Sequence, residues 1–311
     1  MSLRIVLINP AFHDGNEFKN RFDAYLEWIK GGNLYVAPFE PPLGLAYITS
    51  ALRQSGYEVT LVDMQGLLMD GEALANRLVE LKPDLVGITA MTPTIPVALR
   101  VADIVRRVIP DARIVLGGVH PTLDPASVLK HPSVDFAIRG EGERTLAGLA
   151  AALDGAGDLD SVEGLSYRRN GELVIKPKAP AILDLDHLPM ADYDAFPVER
   201  YIEHNSYLRG MRGISMLISR GCPFQCTFCA VQQTMGRRYR RRSAEAVVNQ
   251  IIDLRDRYQV QSIWFKDSIF NMNRKWVEEF AHLMIDRKVG VSFQINTRVD
   301  LIREDELQLL K

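Results

Sequence analysis

Cysteine is scarce: the chain of 311 residues has three, all between Cys222 and Cys229. None is left to pair elsewhere, which argues against a disulfide scaffold and favours a reducing cytoplasm. No run of about 18 apolar residues occurs, so no membrane span is expected. An excess of either charge is also missing. The 37 Lys and Arg face 39 Asp and Glu, a net charge of −2, with no general pull toward nucleic acid or an anionic membrane. The apolar run near Met1 is too short for a secretory signal and reads as a first strand. No Gly-x-Gly-x-x-Gly follows it, which weakens a dinucleotide-binding reading. The length leaves room for two domains.

The first half alternates strand and helix. Strands are expected over residues 4–9, 58–63, 85–89, 113–116 and 135–138. Helices are expected over 43–54, 72–81 behind an Asp70 N-cap, 95–108 and 144–153. This alternation implies a flavodoxin/Rossmann-like, doubly wound parallel α/β sheet over residues 1–154. Ligands of such sheets bind outside the carboxyl ends of the strands. Those ends carry Asn9, then Thr89, Met91 and Thr92, then Gly117, Gly118 and His120, then Gly140 and Glu141. Gly117, Gly118 and Gly140 let the backbone approach a large ligand. His120 reads equally as a ligand contact or a capping histidine. The stretch from Pro10 to Pro42 reads as a long functional loop with His13, Asp14, Trp28, Gly31 and Gly32.

Residues 155–210 read as a linker. Short strands at 164–167 and 173–176 flank Asn170-Gly171, a hairpin signal. The Pro- and Asp-rich stretch 179–197 reads as an extended connector that wraps one domain onto the other.

Residues 211–311 read as three βα units, the start of a (β/α) barrel. Strands are expected over 214–219, 262–265 and 291–296. Helices are expected over 244–258 after the Ser243 N-cap, over 274–287, and from 305 onward. The Trp276, Phe280, Leu283 stripe reads as core. Chemistry in such barrels gathers at the carboxyl ends of the strands. One such end runs directly into Arg220-Gly221-Cys222-Pro223-Phe224-Gln225-Cys226-Thr227-Phe228-Cys229. Three thiolates on one short loop can hold three corners of a cubic iron–sulfur cluster. The alternative is structural zinc, which takes four ligands, usually as two pairs. Here there is no second pair, and the nearest histidine is His204, across a predicted strand. The basic run Gly236–Arg242 invites a nucleic-acid reading. Contacts to cofactor phosphate, to carboxylate or between domains fit the overall charge better.

The Cys-x3-Cys-x2-Cys spacing resembles the signature of the radical S-adenosylmethionine enzymes. The resemblance implies a 4Fe–4S cluster on Cys222, Cys226 and Cys229, with an open iron that binds S-adenosylmethionine. One electron passed to the sulfonium then releases a 5′-deoxyadenosyl radical. It also implies that Phe228 packs near the adenine. Asp267 and Ser268 would meet the amino group or ribose, and Gln294, Asn296 and Arg298 the ribose or carboxylate. The competing reading of these residues is ordinary polarity at strand ends.

Residues 3–150 are similar to the cobalamin-binding domain that precedes the radical domain in many such enzymes. The matching pieces are Pro41–Tyr47, Gly117–Thr122 and Arg139–Glu143. This adds Pro42, Leu43 and Gly44 to the strand-end residues as cobalamin contacts. The Asp-x-His-x-x-Gly motif of the mutases and methionine synthase is missing, and His13-Asp14-Gly15 runs in the wrong order. A cobalt without a histidine below it is therefore implied. A nucleotide- or flavin-binding flavodoxin fold is the competing reading, since fold alone does not fix a ligand.

The implied function is methylation of an unactivated carbon with methylcobalamin and the deoxyadenosyl radical; no catalytic side chain is assigned. The alternatives are an oxidative cyclase similar to the anaerobic one of bacteriochlorophyll synthesis, or a non-catalytic cobalamin-binding or light-sensing module. Implied partners are a small-molecule or peptide substrate and a one-electron reductant such as flavodoxin or ferredoxin, in the cytoplasm. Three βα units fall short of that family's barrel. The chain therefore reads as a piece of a longer protein or a half-barrel completed by another chain, with poor turnover alone. Its third strand would then leave an unpaired edge, with Val291, Phe293 and Ile295 alternating with Ser292 and Gln294.

Overall fold

The continuous apolar runs become the centre of a parallel sheet. In the computed structural model, which describes residues 3–11, 40–203 and 211–311, two units form. His13, Asp14, Trp28, Gly31, Gly32 and His204 lie outside the described residues.

The first unit holds residues 3–11, Pro42–Ile182 and Pro189–Pro197. Its strands are β1 (Arg4–Asn9), β2 (Glu58–Asp63), β3 (Leu85–Thr89), β4 (Arg113–Gly117), β5 (Phe136–Ile138), β6 (Leu165–Arg169) and β7 (Glu172–Val174). They lie in the order β2-β1-β3-β4-β5-β6-β7, and the first five are mutually parallel. That is the flavodoxin-like order. Ile5 to Ile8, Leu85, Val86 and Ile114 to Leu116 are buried, as strands covered on both faces require.

Its helices are α1 (Leu43–Gln54), α2 (Met64–Leu67), α3 (Gly71–Leu81), α4 (Ile95–Val108), α5 (Val119–Leu123), α6 (Pro125–Leu129) and α7 (Gly142–Leu153). Helix α4 buries Val97, Val101 and Val105, one stripe at a spacing of four. Asp70 caps α3 by accepting from the Ala73 N–H at 2.9 Å. Helices α2, α5 and α6 have four or five residues each, too few to show a period in sequence.

The hairpin differs from the linker reading. Strand β6 pairs antiparallel with β5, placing Phe136 opposite Tyr167, and β7 pairs with β6. These residues are therefore the edge of the first sheet. The turn has Asn170 at φ 51° and Gly171 at φ 85°, the two positive values of a type I′ turn. The connector also divides: Leu183–Leu188 belong to the second unit and Pro189–Pro197 to the first. Ser50 of α1 donates to the Met190 carbonyl at 2.7 Å, and Arg53 pairs with Asp192.

The second unit holds residues 40–41, Leu183–Leu188 and Val198–Lys311. It contains α8 (Val198–Glu203), β8 (Gly213–Met216), β9 (Ser219–Arg220), α9 (Val231–Met235), β10 (Arg240–Arg241), α10 (Ala244–Tyr258), β11 (Ser262–Phe265), α11 (Arg274–Asp286), β12 (Ser292–Gln294) and α12 (Glu304–Leu310). Strands β12-β11-β8 form a parallel sheet. Phe265, Phe270, Trp276 and Phe280 are buried in a cluster that includes the stacked pair Trp276–Phe280, 5.4 Å between centroids. Trp276 Nε1 donates to the Arg242 carbonyl at 2.9 Å. The stripe is core, with Leu283 half-buried at its end. The expected strand 214–219 breaks: β8 stops at Met216, and β9 pairs antiparallel with β10. Among the described residues no helix is long and apolar enough to cross a membrane.

Candidate functional site

The cysteine loop is held at both ends. Gly221 sits at φ 81°, and a Cβ there would collide with the Arg238 carbonyl oxygen. Glycine is the residue that tolerates both the angle and the approach. The Cys222 N–H donates to the Gly236 carbonyl at 3.1 Å, and the Cys229 N–H donates to the Cys226 carbonyl at 3.1 Å. Inside the loop, Gln232 Nε2 of α9 donates to the Phe224 carbonyl.

All three thiols are free. Cys222 and Cys226 are half-buried and Cys229 is exposed. Among the described residues no three His, Cys, Asp or Glu side chains group as a single metal ion needs. A cubic cluster takes each thiolate at a separate corner, so its ligands need not meet at one point. Beside Cys229, Phe228 is 92% exposed, a large ring face open to a planar ligand.

Arg298, just beyond β12, reaches this loop. Its Nη1 lies 3.3 Å from Cys226 Sγ, and its guanidinium carbon sits 4.1 Å from the Phe224 ring centroid. Its Nε and Nη2 grip both oxygens of Asp300 at 2.9 Å, which holds the Asp300 carboxyl below its usual value. The expected carboxylate donor is thus at the cysteines, with part of its fork already on Asp300.

Asp267 departs from expectation. It is 1% exposed. Its carboxylate accepts the Ile218 N–H at 3.1 Å, the Ser219 N–H and the Ser219 hydroxyl. The expected ligand contact is therefore turned inward, bracing the segment that leads into the cysteine loop. Burial pushes its carboxyl up to about 7, against the pull of the Ser219 and Ile218 donors. Burial also pushes Tyr239, hydrogen-bonded to Ser219, up to about 12. Ser268 is exposed at the end of β11. Asn296 Nδ2 donates to the Phe265 and Asp267 carbonyls at 3.2 and 3.3 Å, tying the ends of β11 and β12 together. Gln294 stands opposite Trp264 on β12.

In the first unit the strand-end loops interlock. Asn9 Nδ2 donates to Asp63 at 2.8 Å, and Asp63 also caps α2 through the Gly66 N–H. The Ala90 N–H donates to the Gly117 carbonyl at 2.8 Å, and the His120 N–H to the Ala90 carbonyl at 3.2 Å. Gly118 sits at φ 106°, where a Cβ would stand 2.7 Å from the Ala90 oxygen. Thr122 Oγ1 donates to the Gly118 carbonyl and accepts the Gly140 N–H at 3.0 Å. His120 holds Thr92 Oγ1 at 3.2 Å and Ser127 Oγ at 3.1 Å with its two ring nitrogens, a positioned ring. Glu141 accepts the Ile182 N–H. Thr89 is half-buried. Leu43 at the start of α1 is buried, and Pro42 and Gly44 are more open. Met91 after β3, and Val119 and Leu123 at the two ends of α5, are exposed apolar side chains.

Residues 29–150 match the B12 binding domain model, and residues 216–311 match the radical SAM superfamily model. The chain carries a B12-binding domain followed by a radical SAM domain. An uncharacterized methyltransferase of Pyrococcus horikoshii is 32% identical over 87% of this chain and 58% of its own length. The anaerobic magnesium-protoporphyrin IX monomethyl ester cyclase of Rubrivivax gelatinosus is 33% identical over 98% of this chain and 52% of its own length. The cobalamin-dependent S-adenosylmethionine radical enzyme OxsB, solved with aqua-cobalamin and S-adenosylmethionine, shares the fold. Its TM-score is 0.79 at 20% identity, covering 99% of this chain and 41% of OxsB. The chain thus spans about half the length of the curated relatives it matches.

The second unit contains a pair that sequence reasoning missed. Glu40 pairs with Lys266 Nζ at 2.7 Å and accepts the Ser215 hydroxyl. Glu40 carries no signal beyond standing before Pro41-Pro42. The basic run also proves largely internal. Arg240 Nη2 donates to the Met235 carbonyl at 2.9 Å, and Arg242 Nη1 to the Leu188 carbonyl at 3.0 Å.

Proposed function

We propose that this chain carries the cobalamin- and cluster-binding parts of a radical S-adenosylmethionine enzyme that methylates an unactivated carbon. The observation that carries the reading is the glycine-pinned loop. It offers three free thiols and an open Phe228 ring at the carboxyl end of a parallel half-barrel. When bound, a 4Fe–4S cluster supplies an electron for cleavage of S-adenosylmethionine, and cobalamin supplies a methyl carrier.

Each residue then has a task. Cys222, Cys226 and Cys229 hold the cluster as thiolates. Phe228 offers its face to the adenine, and Ser268, Gln294 and Asn296 line the polar side of S-adenosylmethionine. Arg298 places positive charge beside Cys226, where the thiolates gather negative charge. Asp267 positions the loop. In the first domain, Gly117, Gly118 and Gly140 bring backbone close to the corrin. Asn9, Pro42, Leu43, Gly44, Thr89, Thr92, His120 and Glu141 frame it, and Met91 covers it. An oxidative cyclisation is the second reading, favoured by the identity to the cyclase over 98% of the chain. The proposed partners are an organic substrate and a one-electron carrier, in a reducing cytoplasm.

The experiment is anaerobic reconstitution with iron, sulfide and hydroxocobalamin, then electron paramagnetic resonance of the cobalt(II) form. Bound cobalt without nitrogen splitting from a protein histidine is expected. Such splitting, or no bound cobalamin, would contradict the reading.

A further inference from the structure

Residues 211–244 contain seven arginines and no acidic residue, in a chain whose acids outnumber its bases. Most of these arginines are committed inside the domain. Arg212 holds Glu199 and the Tyr258 carbonyl, Arg240 and Arg242 hold main-chain carbonyls, and Arg241 lies over the Trp276 ring. Arg237 and Arg238 are the two that are exposed.

Their backbone sits against the cysteine loop. The Gly236 carbonyl takes the Cys222 N–H, and the Arg238 carbonyl packs onto Gly221. A second link runs through side chains. Arg237 Nε donates to Gln232 Oε1 at 3.1 Å, and Gln232 in turn donates to the Phe224 carbonyl within the loop. Two outward guanidinium groups therefore stand one hydrogen-bonded layer from the thiols, on a stretch free of negative charge. Tyr239, the aromatic within the basic run, turns inward to Ser219, so the run presents no ring for stacking against a base.

We propose that Arg237 and Arg238 are the docking surface for an acidic protein that carries single electrons. The proposal rests on the cluster reading above, because such a cluster must receive its electron from outside. Positive charge on a stretch whose own sequence carries no acidic residue steers an acidic partner and orients it toward the cysteine loop. Both side chains are solvated, so salt screens this attraction.

The test is stopped-flow reduction of the reconstituted protein under anaerobic conditions. Two donors are compared over a range of sodium chloride: reduced flavodoxin as the acidic carrier, and dithionite as a small reductant. For the unaltered protein, the flavodoxin rate is expected to fall as salt rises. The double variant R237Q/R238Q should lower the low-salt rate about ten-fold, in keeping with the gap between steered and unsteered association. R237E/R238E should remove or invert the salt dependence, while dithionite rates and iron content stay as in the parent. If the charge-reversed variant loses iron, the glutamine variant decides.

Equal flavodoxin rates and equal salt slopes in parent and glutamine variant would overturn the docking surface and leave the cluster reading intact. Failure of both donors to reduce the parent would overturn the cluster reading and the docking surface with it. Arginine-dependent binding of a mixed-sequence oligonucleotide, with flavodoxin rates unchanged by the substitutions, would also overturn the proposal in favour of nucleic acid.

Discussion

The carboxylate of Asp267 accepts the main-chain N–H of Ile218 at 3.1 Å, across 49 residues of sequence. The neighbouring Ser219 adds a second N–H and a hydroxyl to the same carboxylate. One buried acid thus fixes the segment that enters the cysteine loop. Replacing Asp267 by Ala leaves two main-chain donors without an acceptor, which costs about 1–3 kcal/mol for each buried group. The expected outcome is a lower melting temperature and fewer irons per chain after reconstitution. A variant with parent iron content and stability but weaker S-adenosylmethionine binding would return Asp267 to the ligand role.

The same residue gives a pH prediction. Its folded value of about 7 lies above the ordinary 3.8, so the folded state holds the proton more tightly than the unfolded chain. The stability this adds is fully present below 3.8 and is lost as pH rises through about 7. Groups such as Asp300, held below the usual value, act in the opposite direction. The comparison is therefore the parent minus Asp267→Asn. Denaturant midpoints should show that difference declining from pH 4 to pH 7. A flat difference would contradict the raised carboxyl.

Two glycines separate backbone need from ligand need. Gly118→Ala forces a side chain into φ 106° and against the Ala90 oxygen, strain of about 1–3 kcal/mol. It should lower the melting temperature even without cobalamin. Gly44 lies in α1, where an added Cβ meets nothing within 4 Å. Gly44→Ala should stabilise the apoprotein by up to about 1 kcal/mol and still weaken cobalamin binding in a spectroscopic titration. Unchanged cobalamin affinity in Gly44→Ala would remove Gly44 from the site.

Sequence and structure agree where the signal is local. The burial of Val97, Val101 and Val105 is written in their spacing, and the thiols share one short loop. Long-range pairing is where the sequence falls silent. Nothing near Leu165–Arg169 announces that the hairpin pairs with β5, because an edge strand carries no mark of its neighbour. The early end of β8 has the same cause, since Asp267 takes N–H groups that a longer strand would have used. Glu40 and Lys266 are likewise far apart in sequence and meet through the fold. The spacing of the three loop cysteines is legible because neighbouring residues, not distant ones, set it.

Phe228 tests the ligand face. At 92% exposure its ring contributes nothing to the core, so Phe228→Ala should leave stability and iron content unchanged. Loss of a stacked base is worth about 1–3 kcal/mol, so S-adenosylmethionine affinity should fall by roughly five-fold or more. Calorimetric titration of the reconstituted protein measures it. Equal affinity in both proteins would place the adenine elsewhere.

The proposed function rests first on a cluster held by Cys222, Cys226 and Cys229. It is tested most directly by counting iron and sulfide per chain after anaerobic reconstitution, in the parent and in a variant with all three cysteines replaced by Ala. About four irons and four sulfides with a broad visible absorption are expected in the parent, and neither in the variant. A variant that keeps its iron and sulfide, or a parent that takes up a single zinc ion and no sulfide, would contradict it.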